Sequence, residues 1–303
     1  MNADKTTFDA GTTASLLEYA TLVDVLRETI VEYGVGRIAS PERLAIPLQH
    51  GGLMLSMPAS AEDIAIHKLV NVCPGNVARN LPTINGQVIA CDSLTGETMF
   101  VLDGPTVTGR RTAAVSALGA MTLANGPLRE ILVIGTGKQA SNHVEAFATL
   151  FPDARILSKG ISDDDTRSFV ARQKALAPRL EALQGEIPES VDVVVTVTTS
   201  KRPVYNEAVR AGRLVIGVGA FTPDAAEISK QVVDGSFVVV DDPVGAKHEA
   251  GDLIQANFDW NRAGSLAQAI QGQLRPDAPV FFKSVGCAAW DLAACRVARK
   301  ALG

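Results

Sequence analysis

A chain of 303 residues is long for a single core and favours two domains, each burying its own apolar interior. Its 47% hydrophobic and 20% charged residues are those of a packed soluble enzyme and leave no room for intrinsic disorder. The formal net charge of −5, with no Lys/Arg cluster interleaved with aromatics, argues against nucleic acid as a partner and for a small-molecule substrate.

The opening stretch, MNADKTTFDAGTT, is polar and carries two aspartates, unlike the basic start and apolar middle of a signal peptide. The longest apolar runs, such as residues 191–197, fall far short of the roughly 20 residues that span a bilayer, so no membrane span and a cytoplasmic location are expected. Residues 15–33 space Leu16, Ala20, Val23, Leu26 and Ile30 by threes and fours, which predicts an amphipathic helix ending near Gly34. Short β-rich runs follow at 43–48, 53–57, 64–72, 87–92 and 98–102, divided by Gly, Pro and Asn, with Ser93-Leu94-Thr95-Gly96 as a hairpin connection. They predict a meandering sheet. Residues 108–124 are rich in Ala and Leu and predict a helix, which Asn125-Gly126-Pro127 breaks.

From there strand and helix signals alternate, with apolar runs at 131–134, 155–157, 191–197, 214–218, 237–240 and 280–282. That alternation predicts a parallel sheet covered by helices on both faces, hence an α/β fold, and residues 286–302 predict a closing helix. Cys73, Cys91, Cys287 and Cys295 lack CxxC or Cys/His metal spacing, so reduced thiols and no metal site are expected.

One motif carries chemistry at once. Gly135-Thr136-Gly137-Lys138-Gln139-Ala140 is a GxGxxA variant placed directly after an apolar strand and before a helix. Gly135 permits the tight turn, Gly137 admits the pyrophosphate without a Cβ in its way, and Ala140 keeps the helix close to the sheet. The free N–H groups and positive dipole end of the helix then hold the phosphates. A nicotinamide dinucleotide is the expected cofactor. NAD-dependent enzymes carry Asp or Glu about 20 residues further on to hold the ribose hydroxyls. This chain has Ser158-Lys159-Gly160 there, so Ser158 and Lys159 are expected to bind a 2′-phosphate, with NADPH preferred and NADH possible.

Seven stretches, KLVNVCPGN (68–76), GRRTAAVSALGA (109–120), IGTGKQASNHVEAF (134–147), TVTTSKRPV (196–204), GVGAFTPDAAEI (217–228), HEAGDLIQA (248–256) and FKSVGCAAWDLAA (282–294), together resemble one family. It is the ornithine cyclodeaminase/mu-crystallin family, and within it the bacterial reductases of Δ1-pyrroline-2-carboxylate and Δ1-piperideine-2-carboxylate. The resemblance implies a homodimer. A substrate and dimerisation domain of α+β type would span residues 1–118 with the closing helix 286–303, and a Rossmann domain would span 119–285. It further implies a basic trio, Arg43, Lys68 and Arg111, on the substrate carboxylate, and cofactor contacts from Thr198, Thr199, Val218, Gly219 and Phe221.

Physical chemistry agrees with the trio, since a carboxylate suits a guanidinium fork and an enclosed lysine adds a charge that reaches the reacting nitrogen. Lys68 lies in an otherwise apolar run, where an unpaired charge is costly. Arg110 beside Arg111 leaves that assignment open by one position. His50 is a candidate proton donor, Thr83 and Asn76 are candidate neutral hydrogen-bond partners, and Cys73 has no histidine base to make it a nucleophile.

The reaction implied is NAD(P)H-dependent ketimine reduction giving L-proline or L-pipecolate. Cyclodeaminases of the family carry an Asp in the loop after the strand at 214–218, and Phe221 occupies that position here, with Asp224 three residues later. Alternatives are ornithine cyclodeaminase, an alanine-dehydrogenase-like enzyme, and a non-catalytic NADPH-binding protein like mu-crystallin.

Overall fold

The computed structural model describes residues 6–276 and 278–303; residues 1–5, the first part of the polar start noted above, lie outside the described residues. By contacts the chain divides into two compact units, one made of Met1–Arg111 with Cys287–Gly303 and the other of Thr112–Gly286. The division falls inside one continuous helix, with the 118/119 boundary expected from the sequence further along the same helix.

In the first unit, β1 (Thr6–Thr7) is followed by α1 (Ala10–Leu16) and α2 (Tyr19–Gly34). The single helix expected over 15–33 is therefore two. Asp9 caps α1 by accepting from Thr12 N at 2.8 Å, and the chain leaves it at Leu17 before restarting after an extended Glu18. The carbonyl of Leu17 is held by Arg110 Nε at 2.8 Å, and the guanidinium stacks over Tyr19 at 4.0 Å.

Five strands then form the meander, β2 (Leu44–Pro47), β3 (Leu53–Ser60), β4 (Ala65–Val72), β5 (Ile84–Cys91) and β6 (Thr98–Asp103). They lie in the order β1-β6-β5-β4-β3-β2, antiparallel except for β1 beside β6. Along β4 the buried Ile66, Lys68 and Val70 alternate with the exposed His67 and Leu69, as one covered face requires. The turn at 93–96 forms as expected: Asp92 accepts from Leu94 N and Thr95 N, and Gly96 sits at φ 74°.

Helix α3 (Gly104–Leu123) ends the first run of this unit and carries the chain into the second. There the order is β7 (Glu130–Ile134), α4 (Lys138–Leu150), β8 (Arg155–Lys159), α5 (Asp163–Gln173), β9 (Leu180–Ala182), β10 (Val193–Thr196) and β11 (Leu214–Gly217). It continues with α6 (Lys230–Asp234), β12 (Phe237–Val240), α7 (Ala246–Glu249), α8 (Gly251–Gln255), β13 (Gly264–Ser265), α9 (Leu266–Ile270) and β14 (Val280–Lys283). All eight strands are parallel, ordered β13-β12-β14-β11-β10-β7-β8-β9. Every residue of β7, β10, β11 and β14 is buried, which is the mark of a sheet covered on both faces. β9 and β13, of three and two residues, are too short to show a periodicity in the sequence.

The strand β7 lies between β8 on one side and β10 on the other, so the chain reverses direction across the sheet at β7. Its carboxyl end is thus the switch point at which such sheets bind ligands. His143 of α4 is held as a neutral ring. Its Nδ1 donates to the Gln139 carbonyl at 2.8 Å, its Nε2 accepts from the Ser116 hydroxyl at 2.9 Å, and burial pushes its pKa down to about 4.

The closing helix α10 (Ala288–Leu302) belongs to the first unit, where it packs on β3, β4 and β5 and against α2. Among the described residues no helix is long and apolar enough to cross a membrane, and no three His, Cys, Asp or Glu side chains are grouped to hold a metal ion. Among the described residues Cys73, Cys91, Cys287 and Cys295 form no disulfide, and Cys287 and Cys295 are buried.

Candidate active site

The first unit contains a closed charge cluster. Lys68 leaves β4 on its covered face, 1% exposed, and Nζ donates to both oxygens of Asp291 at 3.1 Å each. Asp291, in the first turn of α10 and fully buried, also accepts from Arg111 Nε at 3.1 Å. A carboxylate at this position also suits the positive end of the helix dipole. One buried anion thereby holds two buried cations.

Burial drives the Lys68 pKa down, Asp291 pushes it back up, and the charges of Arg111 and Arg43 lower it again, to about 8. Arg43, half-buried just before β2, is close enough to act on Lys68 by charge. The structure thus brings Arg43, Lys68 and Arg111 together. Of the two adjacent arginines, Arg110 bonds the Leu17 carbonyl and stacks over Tyr19, while Arg111 bonds Asp291.

Asp291 was not foreseen. It stands within the FKSVGCAAWDLAA stretch, and the signal was available: an acid inside an otherwise apolar helix needs a cationic partner, as Lys68 does inside its strand.

Of the other candidates of this unit, Thr83 and Asn76 make their own local bonds. His50 is exposed at φ 55° in the 3-10 turn Gln49–Gly51 and makes no hydrogen bond to Lys68, Arg111 or Asp291. Thr83 is half-buried and its carbonyl accepts from Cys73 N at 2.7 Å, while Asn76 Nδ2 donates to the Pro82 carbonyl at 2.7 Å. These bonds close the 73–83 loop.

In the second unit the glycine turn has the geometry its sequence requires. Gly135 sits at φ 128°, and a Cβ there would also lie 2.9 Å from the Val197 carbonyl. Gly137, the N-cap of α4, faces open space: a Cβ would meet nothing within 4 Å. The fold itself requires the first glycine, while the second leaves bare backbone at the head of the helix. Ala140 is fully buried where α4 meets the sheet, and Lys138 is exposed at the helix start.

Two buried polar atoms at the turn and the following strand lack a partner, Gln139 Oε1 and Ser158 Oγ. A dinucleotide fits this cradle, with open backbone at Gly137 and hydrogen-bonding capacity unspent.

The expected reading of Ser158 changes in one respect. Its side chain is wholly buried within β8 and is not displayed beside Lys159. Successive strand residues point to opposite faces, so Ser158 and Lys159 leave β8 on different sides. Lys159 donates to the Gly185 carbonyl at 2.7 Å, and Asp165 of α5 accepts from Thr136 Oγ1 at 2.5 Å.

At the carboxyl ends of β10 and β11 lie half-buried Thr198, exposed Thr199, buried Val218, half-buried Gly219 and Phe221, 43% exposed. Asp224 is fixed on the surface by Lys201 at 2.6 Å and Thr222 at 2.7 Å, and the Lys201 ammonium holds its pKa below the usual value. A solvated, ion-paired carboxylate of this kind is a poor proton acceptor for an amine.

A family model for the ornithine cyclodeaminase/mu-crystallin family matches residues 6–302. The chain is 62% identical over 296 residues to Δ1-pyrroline-2-carboxylate reductase 1 of Burkholderia multivorans, covering 97% of this chain and 95% of that protein. It is 61% identical over 296 residues, with the same coverage, to the Δ1-pyrroline-2-carboxylate/Δ1-piperideine-2-carboxylate reductase of Azospirillum brasilense. Among solved structures, Thermococcus litoralis Δ1-pyrroline-2-carboxylate reductase in complex with NADH and L-proline shares the fold. Its TM-score is 0.88 at 22% identity, covering 98% of this chain and 97% of that one. This chain belongs to the ornithine cyclodeaminase/mu-crystallin family.

Proposed function

We propose that the protein is an oxidoreductase that reduces cyclic imine carboxylates, Δ1-pyrroline-2-carboxylate and Δ1-piperideine-2-carboxylate, to L-proline and L-pipecolate with a nicotinamide cofactor. The observation that carries this reading is the buried cluster of the first unit. Lys68 and Arg111, both buried, share the single carboxylate of Asp291, and Arg43 is close enough to act on Lys68 by charge. A second carboxylate, that of the substrate, relieves the excess.

Arg111 and Arg43 bind that carboxylate, and Asp291 keeps Lys68 and Arg111 from repelling one another. With its pKa drawn down to about 8, Lys68 can give up a proton near neutral pH, and its place in the reaction is beside the imine nitrogen. A dinucleotide held by its pyrophosphate at the Gly135–Ala140 turn would supply, from its nicotinamide, the hydride that ends on C2 of the ring. Protonating the nitrogen makes the ring carbon electrophilic, so placement and charge account for most of the catalysis. Phe221 at the position of the cyclodeaminase Asp, and Asp224 tied to Lys201, speak against ammonia release.

We assign NADPH as the preferred cofactor, with NADH accepted. β8 ends without an acid, Asp165 is engaged by Thr136, and the Lys159 ammonium donates to the Gly185 carbonyl. A homodimer in the cytoplasm completes the reading. Leu44, Ile46 and Leu69 share the outer face of the first unit's sheet by register, 59, 45 and 37% exposed, as a partner surface would be. The test of function is reduced-nicotinamide oxidation with each cyclic imine, ornithine, or pyruvate plus ammonia. Cofactor use with the cyclic imines is expected, and none with either of them would overturn the proposal.

A further inference from the structure

The second unit buries an acid that the reaction above does not use. Glu227, in the GAFTPDAAEI stretch, is fully buried, and its carboxylate receives three donors. Thr198 N reaches Oε1 at 2.5 Å, while Gly219 N and Thr196 Oγ1 reach Oε2 at 2.5 and 3.0 Å. Thr196 and Thr198 belong to the end of β10 and Gly219 to the end of β11. One side chain therefore ties together two loops at the carboxyl edge of the sheet. The fit is close: a Cβ on Gly219 would fall 2.7 Å from Glu227 Oε1 and 2.0 Å from the Thr198 carbonyl.

Glu227 is itself fixed from behind. Its N–H and that of Ile228 donate to Asp252 Oδ1 at 2.6 and 2.8 Å, and Asp252 Oδ2 receives the buried Lys283 Nζ at 2.6 Å. The start of α8 presses on the same loop, since a Cβ at Gly251 would lie 2.0 Å from the Ala225 carbonyl. The HEAGDLIQA stretch thus acts as the anchor of this loop. Burial holds the Glu227 pKa above its ordinary value, and the Lys283 charge and the Thr198 bonds pull it part of the way back. Three donors aimed at one carboxylate are the arrangement its ionised form requires.

In sheets of this topology a dinucleotide crosses the switch point, its adenosine half lying over the first strands and its nicotinamide half over the later ones. β7 and β8 are on the first side here, and β10 and β11 on the second. We infer that Glu227 is a positioning residue that fixes the loops following β10 and β11, so that Thr198, Thr199 and Gly219 meet the nicotinamide half of the cofactor. The inference rests on the cofactor reading given above.

The test is direct titration of the full chain with NADPH and with adenosine 2′,5′-bisphosphate, which is the adenosine half alone. Glu227→Gln keeps the shape but turns one acceptor into a donor facing backbone N–H groups. It is expected to weaken NADPH binding about tenfold or more, the scale of hydrogen bonds to an ionised group, and to lower kcat, with adenosine 2′,5′-bisphosphate affinity unchanged. Thr196→Val, a milder change that leaves the carboxylate in place, should move NADPH binding in the same direction by less. It carries the test alone if the Gln variant does not fold. Equal losses for both ligands, or no loss of NADPH affinity, would overturn the role of Glu227. Absence of any NADPH or NADH binding by the unaltered protein would instead overturn the cofactor reading itself.

Discussion

The two candidate regions solve opposite problems. The cluster around Asp291 is closed: two buried cations are bonded to one buried carboxylate and leave one positive charge over. The glycine turn is open, with bare space at Gly137 and exposed Lys138 at the head of α4. Where charges are mutually buried, binding and stability rest on the same bonds; where a backbone is left bare for a ligand, they separate. Substitutions in the cluster should therefore damage fold and binding together, and those at the turn should damage binding alone.

The largest effect is expected at Asp291. Asp291→Ala leaves Lys68 and Arg111 buried without their counter-ion, a loss of about 3–5 kcal/mol of stability, enough to lower the thermal midpoint by many degrees or prevent folding. A variant melting like the parent would break the comparison at its root. Arg111→Lys comes next: the point charge remains, the planar fork goes, and KM for the imine acid should rise about tenfold with a smaller loss of stability.

At the turn, Gly137→Ala should melt with the unaltered protein while dinucleotide affinity falls about tenfold. Gly135→Ala is the contrast, because the φ of 128° and the nearby Val197 carbonyl make it a folding defect as well. If the two alanine variants behaved alike, the division of labour between the glycines would be wrong. Lys159→Ala is a smaller change, expected to cost NADPH about 1 kcal/mol relative to NADH, read as a shift in the ratio of their KM values.

The smallest expected effect is one of pH. Lys68 is charged below its pKa of about 8, so the clamp holds a carboxylate best there, and KM for the imine acid should climb as pH rises through that value. Asp291 raises that pKa, so Asp291→Asn should move the climb to lower pH. For stability the sign is the reverse: unfolded Lys68 keeps its proton up to its ordinary value of 10.5, so its own contribution grows more favourable between about 8 and that limit.

The same contrast explains what could be read from the sequence. The turn is contiguous: strand, glycines and helix follow one another within residues 131–150, so spacing alone conveyed the chemistry. The parallel sheet was legible for a similar reason, because buried strands such as β10 and β11 are unbroken apolar runs. The cluster joins Lys68 and Arg111 to an acid 223 and 180 residues further along the chain, and no local pattern conveys such a distance. The basic trio was reached by resemblance, and Asp291 was missed with it. Glu227 escaped because its partners are mostly backbone N–H groups, which leave no mark in a sequence. Ser158 was read as displayed, since a strand's end residue is equally compatible with either face until its register is known.

The central claim is net reduction of a cyclic imine acid. The most direct measurement is the stoichiometry of reduced nicotinamide consumed and L-proline formed when the unaltered protein is given NADPH and Δ1-pyrroline-2-carboxylate. The account predicts equal amounts of both. Proline formed from ornithine with ammonia release and no net cofactor consumption, while the imine acid goes unreduced, would contradict it.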